Sequence, residues 1–248
     1  MKIAVISDIH ANLFALEAVL AHAQSQGIKF FWCLGDQIQF NAFPDQVVKT
    51  IRKLDPVAIQ GNVDRAILKI GKKKEEQIKD EEMPFYWTYK QLSRKNREYL
   101  TDLPSTIKVK LKGYRFLLTH GSPKHIADNI YEDTPDEYLR ELTKLTRADY
   151  ILCGHTHKPF IREVDGIGFI NPGSVGKPVD GDPRASYCVI QVKKGFVTID
   201  HYRVEYDLAA ALKAMREYTL PEIYIRALET SVLQSQLTNP EPDKEKKG

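Results

Sequence analysis

Residues 2–10 read KIAVISDIH: a short, nearly unbroken apolar run that ends abruptly in Asp8-Ile9-His10. A continuous apolar run of this length, rich in β-branched residues, predicts a strand covered on both faces, as strands of parallel sheets are. The next stretch, LFALEAVLAHAQSQG (13–27), places apolar residues at Leu13, Leu16, Leu20 and Ala23. That spacing predicts a helix, with Gly27 as its stop. FFWCL then runs into Gly35-Asp36 as a second strand, DQVVKTIRKL (45–54) reads as a second helix, and VAIQ (57–60) as a third strand. The β-α-β-α-β rhythm predicts an α/β fold with a largely parallel sheet and helices on its faces.

Further along, the character changes. GKKKEEQIKDEE (71–82) is almost wholly charged and reads as a solvated helix face or a loop, and residues 87–104 read as a helix ending at Pro104. Together they make a helical insert of about 71–104. Strand patterns return at 114–119, 149–153, 166–171, 186–192 and 196–204. These are short and turn-linked, which predicts a second, antiparallel sheet. A helix is expected at 207–218. The expected organisation is one domain over 1–205, a C-terminal helical extension over 206–235, and a disordered tail over 236–248 that carries no core residues.

Composition bounds what the chain can do. The 248 residues are 42% hydrophobic, enough for a sizeable core, and 36 basic residues against 33 acidic leave a net charge of only +3. That balance gives no electrostatic footprint for DNA or an anionic membrane. The N-terminal apolar run is too short for a signal sequence, and no stretch approaches the roughly 20 apolar residues of a membrane span. Cys33, Cys153 and Cys188 are odd in number and widely spaced, so reduced, buried thiols and a cytoplasmic location are expected.

The chemistry lies in the residues just beyond each strand. The five strand ends deliver Asp8 and His10, then Asp36, then Asn62, then His120, then His155 and His157. In open α/β sheets the carboxyl ends of the strands form the ligand crevice. Seven metal-capable side chains should therefore converge on one edge, including four of the seven histidines in the chain. Each dipeptide alone is an ordinary turn former. The Gly154-His155-Thr156-His157 turn is more telling, because two imidazoles flanking one residue gain by sharing a cation.

The ordered series DIH, GD, GN, HG and GHTH resembles the calcineurin-like metallophosphoesterase superfamily, in particular its small prokaryotic phosphodiesterase-type branch. SDIHANLFALEAVL, LLTHGSP, ADYILCGHTHKPF and INPGSVGKPVDGDPRASY support the resemblance, which spans roughly residues 1–205. It implies a four-layer, two-sheet β-sandwich flanked by helices and a binuclear metal centre. One ion would take Asp8, His10 and His157, the other Asn62, His120 and His155, with Asp36 bridging. Mn²⁺ suits this mix of carboxylate, amide and imidazole, with Fe²⁺, Ni²⁺ or Zn²⁺ as alternatives. A water bridging the ions would be deprotonated and attack phosphorus, so that Asp36, His10 and Asn62 carry catalysis through the centre.

The implied activity is hydrolysis of phosphoesters, diesters first, with nucleotide pyrophosphatase, phosphomonoesterase or a metal-free scaffold on the same fold as alternatives. A nucleotide-like substrate and homo-oligomerisation both stay open. Asn12 and Arg184 are candidate phosphate contacts, although Asn12 also reads as the N-cap of the first helix. Many relatives carry Gly-Asn-His, and that histidine can protonate the leaving group; here position 63 is valine. His125, in HGSPKH, is the candidate replacement acid.

Overall fold

Alternation within the first strand decides how the layers assemble. The computed structural model describes residues 1–238. In chain order its elements are β1 (Lys2–Ile6), α1 (Leu13–Ser25), β2 (Phe30–Cys33), α2 (Pro44–Leu54), β3 (Val57–Ala58) and α3 (Asn62–Ile70). Two single 3₁₀ turns, Glu75–Gln77 and Asp80–Glu82, lead to α4 (Met83–Gln91) and α5 (Arg94–Asp102). Then come β4 (Thr106–Leu111), β5 (Tyr114–Thr119), α6 (Asp136–Thr143), β6 (Tyr150–Leu152), β7 (Phe160–Val164) and β8 (Ile167–Asn171). The chain closes with β9 (Ala185–Lys193), β10 (Phe196–Val204), α7 (Leu208–Glu217), α8 (Glu222–Thr230) and α9 (Gln234–Thr238).

Ile3 and Val5 of β1 point into a core shared with Trp32, Phe116, Leu118 and Leu152, between two sheets. Ala4 and Ile6 point the other way, onto Leu16 and Val19 of α1 and Val47 and Ile51 of α2. On the far side, Leu117, Ile151 and Phe169 pack under Leu139 and Leu142 of α6. Because side chains of a strand alternate faces, each central strand feeds two cores. The result is four layers: helices, sheet, sheet, helix.

The first sheet runs β10-β9-β1-β2-β3 and the second β4-β5-β6-β8-β7. β1 pairs in parallel with β2, and β2 with β3, as the β-α-β-α-β rhythm predicts. The expected antiparallel second sheet is corrected in two ways. β5–β6 and β6–β8 are parallel pairs, so that sheet is mixed. The connection from β5 to β6 carries α6 and is long enough for a crossover, which parallel pairing requires. The last two strands join the first sheet instead, β9 lying antiparallel to β1 with Val5 opposite Cys188.

Other differences are local. The expected 87–104 helix is two helices, broken where Leu92 and Ser93 turn extended. α7 and α8 form their own core with Phe14, Phe43 and Trp87. Residues 236–238, expected in the tail, close α9, and 239–248 lie outside the described residues. Cys33, Cys153 and Cys188 are all buried and free. Among the described residues no helix is long and apolar enough to cross a membrane.

Candidate metal centre

Six of the seven expected ligands sit in loops that leave the C-terminal ends of β1, β2, β5 and β6, and Asn62 opens α3 just after β3. Five of them hold their backbone in the left-handed region: Asp8 (φ 53°), His10 (47°), Asp36 (50°), His155 (66°) and His157 (59°). Such positions cost on the order of 1 kcal/mol each for residues with a Cβ, and they cluster where function over-determines the backbone. Here the loops brace one another. Asp8 N–H donates to Gly35 O (3.1 Å), His10 N–H to Asp36 O (3.0 Å) and Gly176 N–H to Asp8 O (3.0 Å). Gly61 permits the closest approach, since a Cβ there would lie 2.0 Å from Asp36 Oδ1. The glycine of the Gly-Asn pair is thus required by Asp36.

The donor atoms converge. Asp8, His10 and His157 form one group and Asp36, His120 and His155 another, the ligand atoms of each lying within 4.8 Å of one another. His10 Nε2 lies 3.1 Å from His157 Nε2. His157 Nε2 is 3.3 Å from Asp8 Oδ1, and His120 Nε2 is 3.2 Å from Asp36 Oδ2. Backbone carbonyls fix the tautomers. His10 Nδ1 faces Ile38 O at 3.2 Å, His120 Nδ1 faces Leu34 O at 2.7 Å, and His157 Nδ1 faces Lys177 O at 2.5 Å. A carbonyl only accepts, so each Nδ1 carries a proton and each Nε2 is turned inward, as a lone pair whenever the ring is neutral.

A divalent metal pair fits these residues. Asp8 Oδ1, Asn62 Oδ1 and His120 Nε2 are buried with no hydrogen-bond partner among the described residues. Leaving such atoms bare costs about 1–3 kcal/mol each, more for a charged group. Two imidazole lone pairs facing each other at 3.1 Å also repel unless a cation or proton lies between them. Oxygen and imidazole donors without thiolate suit a borderline divalent ion.

Without metal, the charges sort themselves unevenly. Burial raises the Asp8 carboxyl, but His157, His120 and His10 outweigh it and hold it well below the usual carboxylate range. Burial and then the neighbouring His157 push His10 down to about 3. Burial also opposes charge on His120, yet Asp36 and Asp8 override it and push that imidazole up to about 10. His155 is lowered by burial and by His120.

A second layer of residues, not apparent in the sequence, holds the ligands. Asp64 accepts from Gln37 N–H (2.9 Å) with Oδ1 and from Gly61 N–H (3.1 Å) with Oδ2. It thereby ties the Asp36 loop to the Asn62 loop. Val63 donates its backbone N–H to Asp36 Oδ1 at 2.9 Å, leaving Oδ2 free to face the histidines.

The seven candidate ligands come together; the three remaining candidates do not join them. Asn12 is buried and used at both ends, its Oδ1 accepting from Ala15 N–H (3.1 Å) and its Nδ2 donating to Gly176 O (3.1 Å). It is the N-cap of α1 and a brace for the 171–178 loop. His125 is exposed and accepts from Ala127 N–H, and it is not among the residues that line the cavity over the site. Arg184 is exposed and paired with Asp182 at 2.7 Å, lining a different cavity.

The cavity over the centre, of about 260 Å³, is lined by His10, Asp36, Asn62, His155, His157 and Lys177, with Phe40, Val63 and Tyr131 at its sides. A separate cavity of about 800 Å³ also has Tyr131 in its wall, together with Glu132, Asp133 and Lys158. Lys177 is only 7% exposed. Burial pushes its ammonium down to about 8, although Asp8 and Asp36 favour the charge. Among the described residues it makes no ion pair within 4 Å. Its Nζ lies 4.8 Å from the Phe40 ring centroid. That contact contributes about 0.5–2 kcal/mol, less than the several kcal/mol that burying an ion costs. The Gly-Pro-rich NPGSVGKP loop was the one signal in the sequence that could have pointed to it.

The model of the calcineurin-like phosphoesterase superfamily domain matches residues 1–195 of the chain. An uncharacterized protein of Methanocaldococcus jannaschii is 36% identical over 236 residues, covering 89% of this chain and 94% of that one. The phosphodiesterase YfcE of Escherichia coli K12 is 28% identical over 200 residues, 75% of this chain and 85% of YfcE. Among solved structures, the metallophosphoesterase of Sphaerobacter thermophilus matches with a TM-score of 0.80 at 32% identity, covering 94% of this chain and 99% of that one.

Proposed function

We infer that this chain, which belongs to the calcineurin-like phosphoesterase superfamily, is a cytoplasmic, binuclear metal-dependent hydrolase that prefers phosphodiesters. The observation that carries the reading is the inward-facing donor set: three carbonyl-locked imidazoles, the bare Asp8 and Asn62 oxygens and the Asp36 carboxylate in one small buried space. Asp8, His10 and His157 would hold one ion, and His120, His155 and Asn62 the other, with Asp36 reaching both. Mn²⁺ is the first choice, then Fe²⁺, Ni²⁺ or Zn²⁺. Two such ions supply Lewis acidity at phosphorus and a water activated for in-line attack.

The chain's own residues do the rest. The Ile38, Leu34 and Lys177 carbonyls keep three imidazoles from turning and direct their Nε2 atoms into the site. Gly35, Gly61 and Gly176 let the loops close tightly enough to hold the donors. Val63 sets the limit: its side chain donates no proton, and loss of a general acid costs about 10²–10⁴ in rate for leaving groups that need one. Diesters and anhydrides with good leaving groups are therefore favoured over alkyl monoesters. The cavity that adjoins at Tyr131 gives room for a second ester arm, and the phosphodiesterase name of a relative points the same way.

The test is metal analysis of the purified protein, then turnover of an aryl diester, nucleotides and a sugar monophosphate under excess Mn²⁺. Faster hydrolysis of the monophosphate than of the aryl diester would transfer the reading to a phosphomonoesterase. Metal uptake with no turnover of any phosphoester would leave a scaffold on the same fold.

A further inference from the structure

Lys177 is a cost with no evident return inside the protein. Lys177 as a residue is 7% exposed, its ammonium finds no carboxylate within 4 Å among the described residues, and the residue lines the cavity over the candidate metal ligands. Its backbone is fixed on three sides. The Lys177 N–H donates to Ser174 Oγ (2.8 Å), its carbonyl accepts from His157 Nδ1 (2.5 Å), and the preceding Gly176 carbonyl accepts from Asn12 Nδ2 (3.1 Å). Phe40 lies against the ammonium on one side and against His10, ring to ring at 4.9 Å, on the other. The side chain is thus aimed and walled. A buried cation held in this way, without an anion of its own, is suited to receive one from solution.

We propose that Lys177 is a phosphoryl-binding residue, its ammonium donating to a non-bridging or leaving-side oxygen of a phosphoryl group seated over the Asp8–His10–His157 half of the centre. This rests on the hydrolase reading for the identity of the ligand and deepens it. Val63 lines the same cavity and its side chain offers no donor, so Lys177, from the 171–178 loop, supplies a donor that Val63 does not. A charge there adds affinity for the phosphoryl group itself, whatever organic group it carries.

Lys177→Met keeps the stem against Phe40 and removes the charge; Lys177→Arg keeps a charge. Inorganic phosphate is titrated calorimetrically into the Mn²⁺-loaded wild type and both variants, with metal content and thermal midpoint measured alongside. The expected result is two ions bound in all three proteins, phosphate binding about 10- to 100-fold weaker in K177M, and most of that loss recovered in K177R. In turnover, K177M should raise KM more than it lowers kcat. Wild-type phosphate affinity in a metal-loaded K177M would overturn the proposal, and so would loss of metal in K177M, which would make Lys177 a support of the centre. Phosphate titration needs no turnover. An inactive but metal-loaded wild type therefore sinks the hydrolase reading alone, and K177M against wild type still decides the role of Lys177.

Discussion

His10 and His120, one in each half of the candidate metal centre, are the same kind of donor and are pushed toward opposite protonation states. His10 and His120 are both buried, at 1% and 0% exposure, and both lock Nδ1 onto a backbone carbonyl. Yet His10 is pushed down to about 3 and His120 up to about 10. Burial disfavours charge on both, so burial cannot be the difference; the neighbours are. His120 has Asp36 Oδ2 at 3.2 Å, close though out of line for a hydrogen bond. His10 has a second imidazole at 3.1 Å and carboxylates no nearer than 3.8 Å. The His10 imidazole stands ready for a cation at neutral pH, while His120 must first give up a proton that the Asp36 and Asp8 charges favour.

Removing Asp36 breaks this comparison most severely. Asp36→Asn should leave at most one tightly held ion per chain and lower hydrolysis by on the order of 10³-fold or more, as metal analysis and kinetics on one preparation would read. It should also release His120 from its raised pKa.

Asp64 comes next, because it spans the Asp36 and Asn62 loops without touching the cavity centre. Asp64→Asn should weaken uptake of the second ion by about 10- to 100-fold and leave the first nearly unchanged. Equal weakening of both ions in a metal titration would show that the halves are not held separately.

Proton linkage gives a smaller, signed effect in the metal-free protein. His120, raised from 6.5 to about 10, contributes stability that is present below about pH 6.5 and is lost as pH rises through about 10. His10, lowered from 6.5 to about 3, acts in the other direction. The unfolded chain protonates there first, so stability is lost as pH falls from about 6.5 toward 3. Thermal midpoints between pH 5 and 10 should therefore fall off on both sides, and Asp36→Asn should flatten only the alkaline side. An unchanged alkaline slope would assign it to another group.

The smallest effects belong to residues that the fold keeps away. His125→Ala and Arg184→Ala should each stay within about twofold of wild type, since exposed side chains outside the cavity rarely matter more. A loss of tenfold or more would return either residue to the site.

Locality decided how much the sequence revealed. Asp8, Asp36, Asn62, His120, His155 and His157 each come directly after a recognisable apolar run, so strand ends and ligands are found together. Lys177 is different, because its burial is made by Phe40, far away in the chain, and by a loop whose Gly and Pro residues suggest only a turn. Asn12 carried two readings, and its backbone neighbours chose the cap. The sheet to which β9 and β10 belong was equally hidden, since a run such as SYCVIQV is buried on both faces in either sheet. β4, with Lys108 and Lys110 alternating with half-buried Ile107 and Val109, was too polar to register as a strand. Those lysines, with Arg115, Lys144 and Arg147, line one basic groove that no contiguous stretch of sequence displays.

The difference between the halves can be measured in one titration of Mn²⁺ into metal-free protein, by calorimetry at pH 7 in buffers of different ionisation enthalpy. Two ions per chain should bind in distinguishable steps. Filling of the Asp36–His120–His155 half should release about one proton, and filling of the Asp8–His10–His157 half markedly less. A single ion per chain, or two ions that release protons equally, would mean that the two halves do not exist as described.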